Sequence, residues 1–343
     1  MKVAILGCGS LGTILGAYIS NHDYDVVLID NYKEHVKALN EKGAHVTGTK
    51  DFVSPVHAIT VDEMEGIYDV VFLLTKQTAN AEVLPKLLPH LDDNSVVCAL
   101  QNGIPEPFVS EYVKGNRVVG GAVIWSATFK EPGVSILTQD IDSTKHLFAI
   151  GEIDGTITER ILKIQKILEL MGPVEVTDIL MGTRFGKLFL NAGSSGLSAA
   201  LGCTFGGIFD NKKGAAALSY IGNEVKKCCE AEGYVLPPVH GYPVESFSLR
   251  TKEDYDESQR IIKDILHIAP GGKASMLQDL MNGRKTEVKM IDGYISLVGK
   301  RHNIPTPFCD AIVDIVTKCE NGELTPSMEN DVYFKDEWFE FGL

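Results

Sequence analysis

Residues 184–198, RFGKLFLNAGSSGLS, place one arginine, one lysine, one asparagine and three serines in an otherwise apolar run. At about 100° per residue of helix, Arg184, Lys187, Asn191, Ser194, Ser195 and Ser198 fall on a single stripe. Phe185, Leu188, Phe189, Leu190, Ala192 and Leu197 fill the remainder. Such a stripe is either the solvent face of an amphipathic helix or a set of polar groups gathered round one ammonium. An ammonium aimed at a ligand stabilises a developing oxyanion and can protonate it. The stripe lacks the Glu and Gln of a typical exposed face. Gly186, Gly193 and Gly196 each cost a helix about 1 kcal/mol against alanine, a cost easier to accept where backbone or ligand comes close.

A second constellation opens the chain. Gly7, Gly9 and Gly12 form G-x-G-x-x-G between a short apolar run and a helical pattern. The first glycine suits a tight turn, the second the approach of a pyrophosphate, the third close packing of helix on strand. The N–H groups at the helix start, around Ser10 and Leu11, then face the anion. Asp30 lies 18 residues past Gly12, where an acceptor for a ribose 2′-hydroxyl belongs. A carboxylate accepts from that hydroxyl and repels a 2′-phosphate, so NAD(H) is expected over NADP(H), with Lys33 a partial offset. The other reading is a glycine-rich turn with Asp30 capping the next helix.

The elements that must hold these groups follow from the hydrophobic pattern. Apolar runs at 2–6, 24–30, 68–75, 95–100 and 116–125 alternate with helical patterns, which predicts an α/β domain with a doubly wound, mostly parallel sheet. Residues 126–151 read as a small antiparallel addition, 156–171 as a helix and 173–178 as a last strand. Beyond that the pattern is helical at 179–200, 214–232, 252–266, 275–281, 286–301 and 307–320. Ser275 can start the short helix; Thr286 is expected to cap the next one, leaving Glu287 in its first turn. The expected organisation is a nucleotide-binding domain over 1–178 and an all-helical substrate domain over 179–343, with ligands in the cleft between them.

Composition narrows the partners. The 343 residues carry a net charge of −14, which argues against a nucleic-acid or anionic-membrane surface. No apolar run approaches a membrane span, and Met1 leads straight into a strand, leaving no room for a signal peptide. Seven cysteines, none in CxxC or metal-ligand spacing, read as reduced thiols of a cytoplasmic protein without a metal.

The order and spacing of GCGSLG at 7–12, LLTKQTA at 73–79, LQNG at 100–103, GKLFLNAG at 186–193, SMLQDLMNGRKTEV at 275–288 and IPTP at 304–307 resemble the ketopantoate reductase (2-dehydropantoate 2-reductase) family over nearly the whole chain. The resemblance implies a Rossmann-type domain followed by a helical domain, and a cytoplasmic homodimer of pantothenate biosynthesis. It implies hydride transfer from a nicotinamide cofactor to ketopantoate or a related branched 2-oxo acid. In that family the lysine matching Lys187 is the catalytic group and the glutamate matching Glu287 assists it. Residues matching Asn102, Asn191 and Ser275 line the substrate site, and those matching Lys76, Gln77 and Asn102 lie near the cofactor. Where the family often has Ile-Asn-Pro, this chain has Ser194, Ser195 and Gly196. Ser195 then takes the asparagine's place at the substrate, in a pocket expected to be wider beside Asn191. Two other readings share parts of this pattern: an opine or hydroxyacid dehydrogenase of the same architecture, and a non-catalytic NAD-binding sensor. A sensor would not need Lys187, Asn191 and Glu287 together.

Overall fold

The apolar runs of the first half close into one sheet in a computed structural model that describes residues 1–267 and 270–343. The chain divides into two compact units, Met1–Leu180 and Met181–Leu343. The first runs β1 (Lys2–Leu6), α1 (Ser10–Ser20), β2 (Asp25–Ile29), α2 (Lys33–Lys42), β3 (Ala44–Gly48), β4 (Phe52–Ser54), β5 (His57–Ile59), β6 (Val70–Leu73), α3 (Asn80–Leu87), β7 (Val96–Ala99), α4 (Glu106–Tyr112), β8 (Val118–Val123), β9 (Ala127–Glu131), β10 (Val134–Leu137), β11 (Phe148–Glu152), α5 (Glu159–Leu168) and β12 (Val174–Val176). The main sheet has the order β12-β11-β8-β7-β6-β1-β2-β5. Its pairs are parallel except β8 with β11.

Alternate residues of β1 serve opposite faces. Val3 and Ile5 join Ile14 and Leu15 of α1 and Ile161, Ile164 and Ile167 of α5. Ala4 and Leu6 join Val83, Leu84 and Leu87 of α3. A parallel sheet buried on both faces in this way needs strands that are apolar throughout, which is why these runs do not alternate in polarity. The chain winds outward in both directions from β1, so the crevice beyond the carboxyl ends of β1 and β6 is the ligand position of an open α/β sheet.

The expected small addition at 126–151 divides in two. KHLFAIGEI supplies β11, which enters the main sheet antiparallel to β8. β9 and β10 form a hairpin that joins β3 and β4 in a separate four-stranded sheet, ordered β4-β3-β10-β9. β3, β4 and β5 escape the pattern reading because they are short and partly exposed, and because β3 pairs with β10 from far along the chain.

The second unit is helical. α6 (Leu180–Leu190) runs through a π-helical turn, Asn191–Gly196, into α7 (Leu197–Leu201). Then follow α8 (Lys212–Ala231), α9 (Lys252–Leu266), α10 (Ser275–Met281), α11 (Asp292–His302) and α12 (Pro307–Glu320). The helix expected from 286 starts later. Glu287 precedes a 3₁₀ turn, Val288–Met290, and α11 begins at Asp292, so Thr286 does not cap it.

Buried carboxyls fix helix positions here. Glu224 of α8 accepts the N–H groups of Phe308 and Cys309 at 2.9 and 3.0 Å, two of the donors that the start of α12 leaves without an intrahelical acceptor. Burial nevertheless pushes Glu224 up to about 7. Asp292 is fully buried against the π-turn: a Cβ at Gly196 would lie 2.7 Å from its carboxylate. Gly196 therefore makes room for Asp292. Burial, reinforced by Glu224, raises the Asp292 carboxyl well above its usual range. A carboxyl raised in the folded state contributes stability that is lost as pH climbs from its unfolded value through the folded one. Asp292→Asn removes that loss. Its stability relative to wild type is expected to grow with pH by about 1.4 kcal/mol per unit within that window, measured by urea unfolding at pH 5 and pH 7.

Candidate active site

The glycine loop shows all three steric roles. Gly7 has φ of 102°, and a Cβ there would sit 2.3 Å from the Thr75 nitrogen. A Cβ at Gly12 would meet the Gly7 carbonyl oxygen at 2.1 Å, whereas at Gly9 it would meet nothing within 4 Å. The loop is thus closed against protein at its first and third glycines and open at the second, where an anion can reach backbone. The first-turn N–H groups of α1, including those of Ser10 and Leu11, have no intrahelical acceptors, and no acidic residue occupies that turn. This fits the phosphates of a dinucleotide.

Asp30, just past β2, is held from two sides. Its Oδ2 accepts the Cys8 N–H at 2.8 Å and its Oδ1 the Tyr32 N–H at 2.9 Å. Each oxygen retains acceptor capacity, so the carboxylate can anchor the loop and still receive a ribose hydroxyl. At the ends of β6 and β7, the Gln77 side chain donates to the Asn102 carbonyl at 2.5 Å. Gln77 is buried and Lys76, which precedes it, is half-buried. A buried amide pair stands behind them. The Gln101 Nε2 donates to the Asn80 Oδ1 and the Thr75 carbonyl, both at 2.7 Å, and the Asn80 Nδ2 returns a bond to the Gln101 Oε1 at 3.1 Å. Sequence reading passed over Gln101 and Asn80, although both lie in or beside the quoted motifs, because nothing local distinguishes a buried amide from an exposed one.

In the second unit the polar stripe is not a solvent face. Arg184 is 1% exposed, Ser194 6% and Ser198 0%, while Lys187, Asn191 and Ser195 are half-buried. The Ser194 hydroxyl donates to the Leu190 carbonyl at 2.6 Å and that of Ser198 to the Cys203 carbonyl. The π-turn separates the two central serines. It absorbs one residue more than an α-turn, so Ser195 takes the direction Ser194 would have in an unbroken helix, within about 20° of Lys187. α10, which carries the exposed Ser275, packs on the π-turn and α7.

Lys187 is lowered to about 7, chiefly by burial and then by the Arg184 charge, with Glu287 opposing both. Glu287 is itself buried and sits on irregular chain rather than in a helix. Its neighbour Thr286 is fastened to the end of α12: the Thr286 N–H and hydroxyl both donate to the Glu320 Oε1, at 2.7 and 2.6 Å. Lys285 pairs with the other Glu320 oxygen at 3.5 Å. Glu320 lies 34 residues from Thr286, too far for any spacing rule to connect them.

Comparison with known proteins bears on both units. The family description "Ketopantoate reductase PanE/ApbA" matches residues 3–151, and "Ketopantoate reductase PanE/ApbA C terminal" matches residues 180–320. 2-Dehydropantoate 2-reductases of Streptococcus pyogenes serotype M3, Archaeoglobus fulgidus and Pyrococcus abyssi are 25%, 26% and 28% identical to the chain. They cover 92%, 94% and 90% of it and 97%, 98% and 94% of their own lengths. Among solved structures, D-mandelate dehydrogenase with NADH and anilino(oxo)acetate has a TM-score of 0.79 at 23% identity, covering 94% of this chain and 99% of its own. A PanE/ApbA family ketopantoate reductase from Ralstonia eutropha JMP134 gives the same figures, and the two share the fold described above. With family matches spanning both units, the first containing the glycine loop and the second the half-buried lysine, the chain belongs to the ketopantoate reductase family of nicotinamide-dependent oxidoreductases.

Proposed function

We propose that this protein reduces ketopantoate, or a closely related branched 2-oxo acid, to the 2-hydroxy acid, with NADH as the preferred donor. The observation that carries the reading is Lys187, desolvated to a pKa near 7 and flanked by Arg184 and Glu287. A reduced nicotinamide, when bound, supplies the hydride. As the ketone carbon is reduced, charge grows on its oxygen; the Lys187 ammonium stabilises that charge and gives up an Nζ proton to it. Arg184 makes the ammonium a stronger acid, and Glu287 keeps it protonated near neutrality. Asn191, one turn on, can donate to the same oxygen, and Ser195 offers a hydroxyl on the same side. Ser275 suits the substrate carboxylate. Asn102, with Lys76 and Gln77 beside it, lies at the strand ends where the cofactor is expected.

Asp30 supports NADH. Two unit charges about 4 Å apart at an effective dielectric near 20 interact by about 4 kcal/mol; solvent and Lys33 reduce this penalty on a 2′-phosphate. The seven cysteines are free thiols, which suits a reducing cytoplasm. No described helix is long and apolar enough to cross a membrane. A homodimer is the assembly implied by the family resemblance, and light scattering on the purified protein measures it.

Three measurements test the reading. The kcat/KM for NADH is expected to exceed that for NADPH by about tenfold to a hundredfold; a preference for NADPH removes the argument from Asp30. Lys187→Ala is expected to lower kcat by roughly 10²–10⁴. In wild type, kcat is expected to fall as pH rises through about 7, because the acid is lost; Glu287→Gln is expected to move that limb to lower pH, since the carboxylate that raises the lysine is gone. Glu320→Leu is expected to shift the limb in the same direction by loosening Thr286, whereas Glu320→Gln, which still accepts from Thr286, leaves it near wild type. An unshifted limb in Glu320→Leu means Glu287 holds its place without that anchor.

A further inference from the structure

His35, on α2, is 1% exposed and belongs to no motif. Its ring nevertheless joins three elements. The Gly133 N–H, at the β9–β10 turn, donates to Nδ1 at 2.9 Å. Nε2 faces the Cys8 carbonyl at 2.7 Å and the Thr13 hydroxyl at 3.1 Å, and that hydroxyl also donates to the Cys8 carbonyl at 2.7 Å. An Nδ1 that accepts carries no proton, so the proton is on Nε2 and points at Cys8. Phe129 closes the ring edge-on at 5.1 Å, and Tyr32 stacks at 6.3 Å.

Cys8 is the residue between the first two glycines. Its N–H is taken by Asp30 and its carbonyl by His35 and Thr13. Both peptide units flanking Cys8 are thus oriented by side chains, and they set where the open face at Gly9 points. We propose that His35 is a positioning residue for the cofactor: through the Cys8 carbonyl it holds the glycine loop in the shape that receives the phosphates. The proposal rests on assigning Gly7–Gly12 to those phosphates. Burial, the larger influence, lowers the ring's pKa against the Cys8 carbonyl and Asp30, which raise it, so the neutral ring persists at working pH.

Two amide substitutions separate the ring's two contacts. Glutamine extends an N–H about as far as Nε2 and can still donate to Cys8. Asparagine reaches only the Nδ1 position and can serve only Gly133. NADH dissociation constants and KM, with kcat at saturating NADH, are measured for His35→Gln, His35→Asn and His35→Leu. For Leu and Asn, NADH binding is expected to weaken on the order of tenfold, the loss of one well-placed hydrogen bond, while kcat stays near wild type. Glutamine is expected to restore most of the affinity. Glutamine no better than asparagine overturns the proposal, as does a folded Leu variant with unchanged NADH affinity and only a lower Tm. If Leu does not fold, the Gln–Asn comparison decides. Gly9→Ala tests the premise, because its methyl enters open space without disturbing the fold. If Gly9→Ala binds NADH normally, the loop assignment fails and the proposal with it. If it binds poorly while Gln and Asn are alike, only the role of His35 fails.

Discussion

Two cations one helical turn apart, partly withdrawn from water, repel each other and lose hydration. Arg184 and Lys187 stand in that relation, and the helix backbone denies them the freedom to separate. Glu287 raises the lysine against both influences, and it lies on irregular chain just ahead of a 3₁₀ turn. The grip of Glu320 on Thr286 supplies the rigidity that a helix would otherwise give. Burial thus sets most of the lysine's shift, and Arg184 and Glu287 adjust it in opposite directions.

The first unit solves a different problem with the same economy of contacts. A loop that must expose backbone N–H groups to an anion cannot also satisfy them internally. Its shape must come from groups that do not compete for those donors. Asp30 takes the Cys8 N–H, one residue ahead of the open position, and the imidazole takes the opposite end of the residue. The four-stranded sheet, remote in sequence from the loop, is thereby joined to it through Gly133.

What could be read from the sequence was whatever is local. The steric demands of Gly7, Gly9 and Gly12 act over a few residues, and the apolar strands of a two-sided sheet announce themselves by composition. The lysine stripe was visible because helical period is regular. The contacts that finish the sites were not visible. Thr286 meets Glu320, His35 meets Gly133 and Gln101 meets Asn80 only once the chain has folded, and each pair is joined by bonds that no periodicity encodes. One departure from the expected helices has this origin. Helix α11 was started too early because Thr286 looks like a cap until Glu320 claims its hydroxyl. Nor does anything local to Gly196 signal that Asp292, nearly a hundred residues on, packs against it.

Because the π-turn at Asn191–Gly196 stores one residue more than an α-turn needs, this stretch can lose a residue without breaking the helix. The deletion would simply convert the turn to α and leave α7 facing Lys187 as it does now. Chains that keep or lose the extra residue would then differ by one position in any column-by-column alignment beyond the lysine. The residue written opposite Ser195 would not be the one that stands beside the lysine in space. Substrate preference inferred from such columns would be read from the wrong side chain, and the length of this turn has to be settled before the letters on either side are compared.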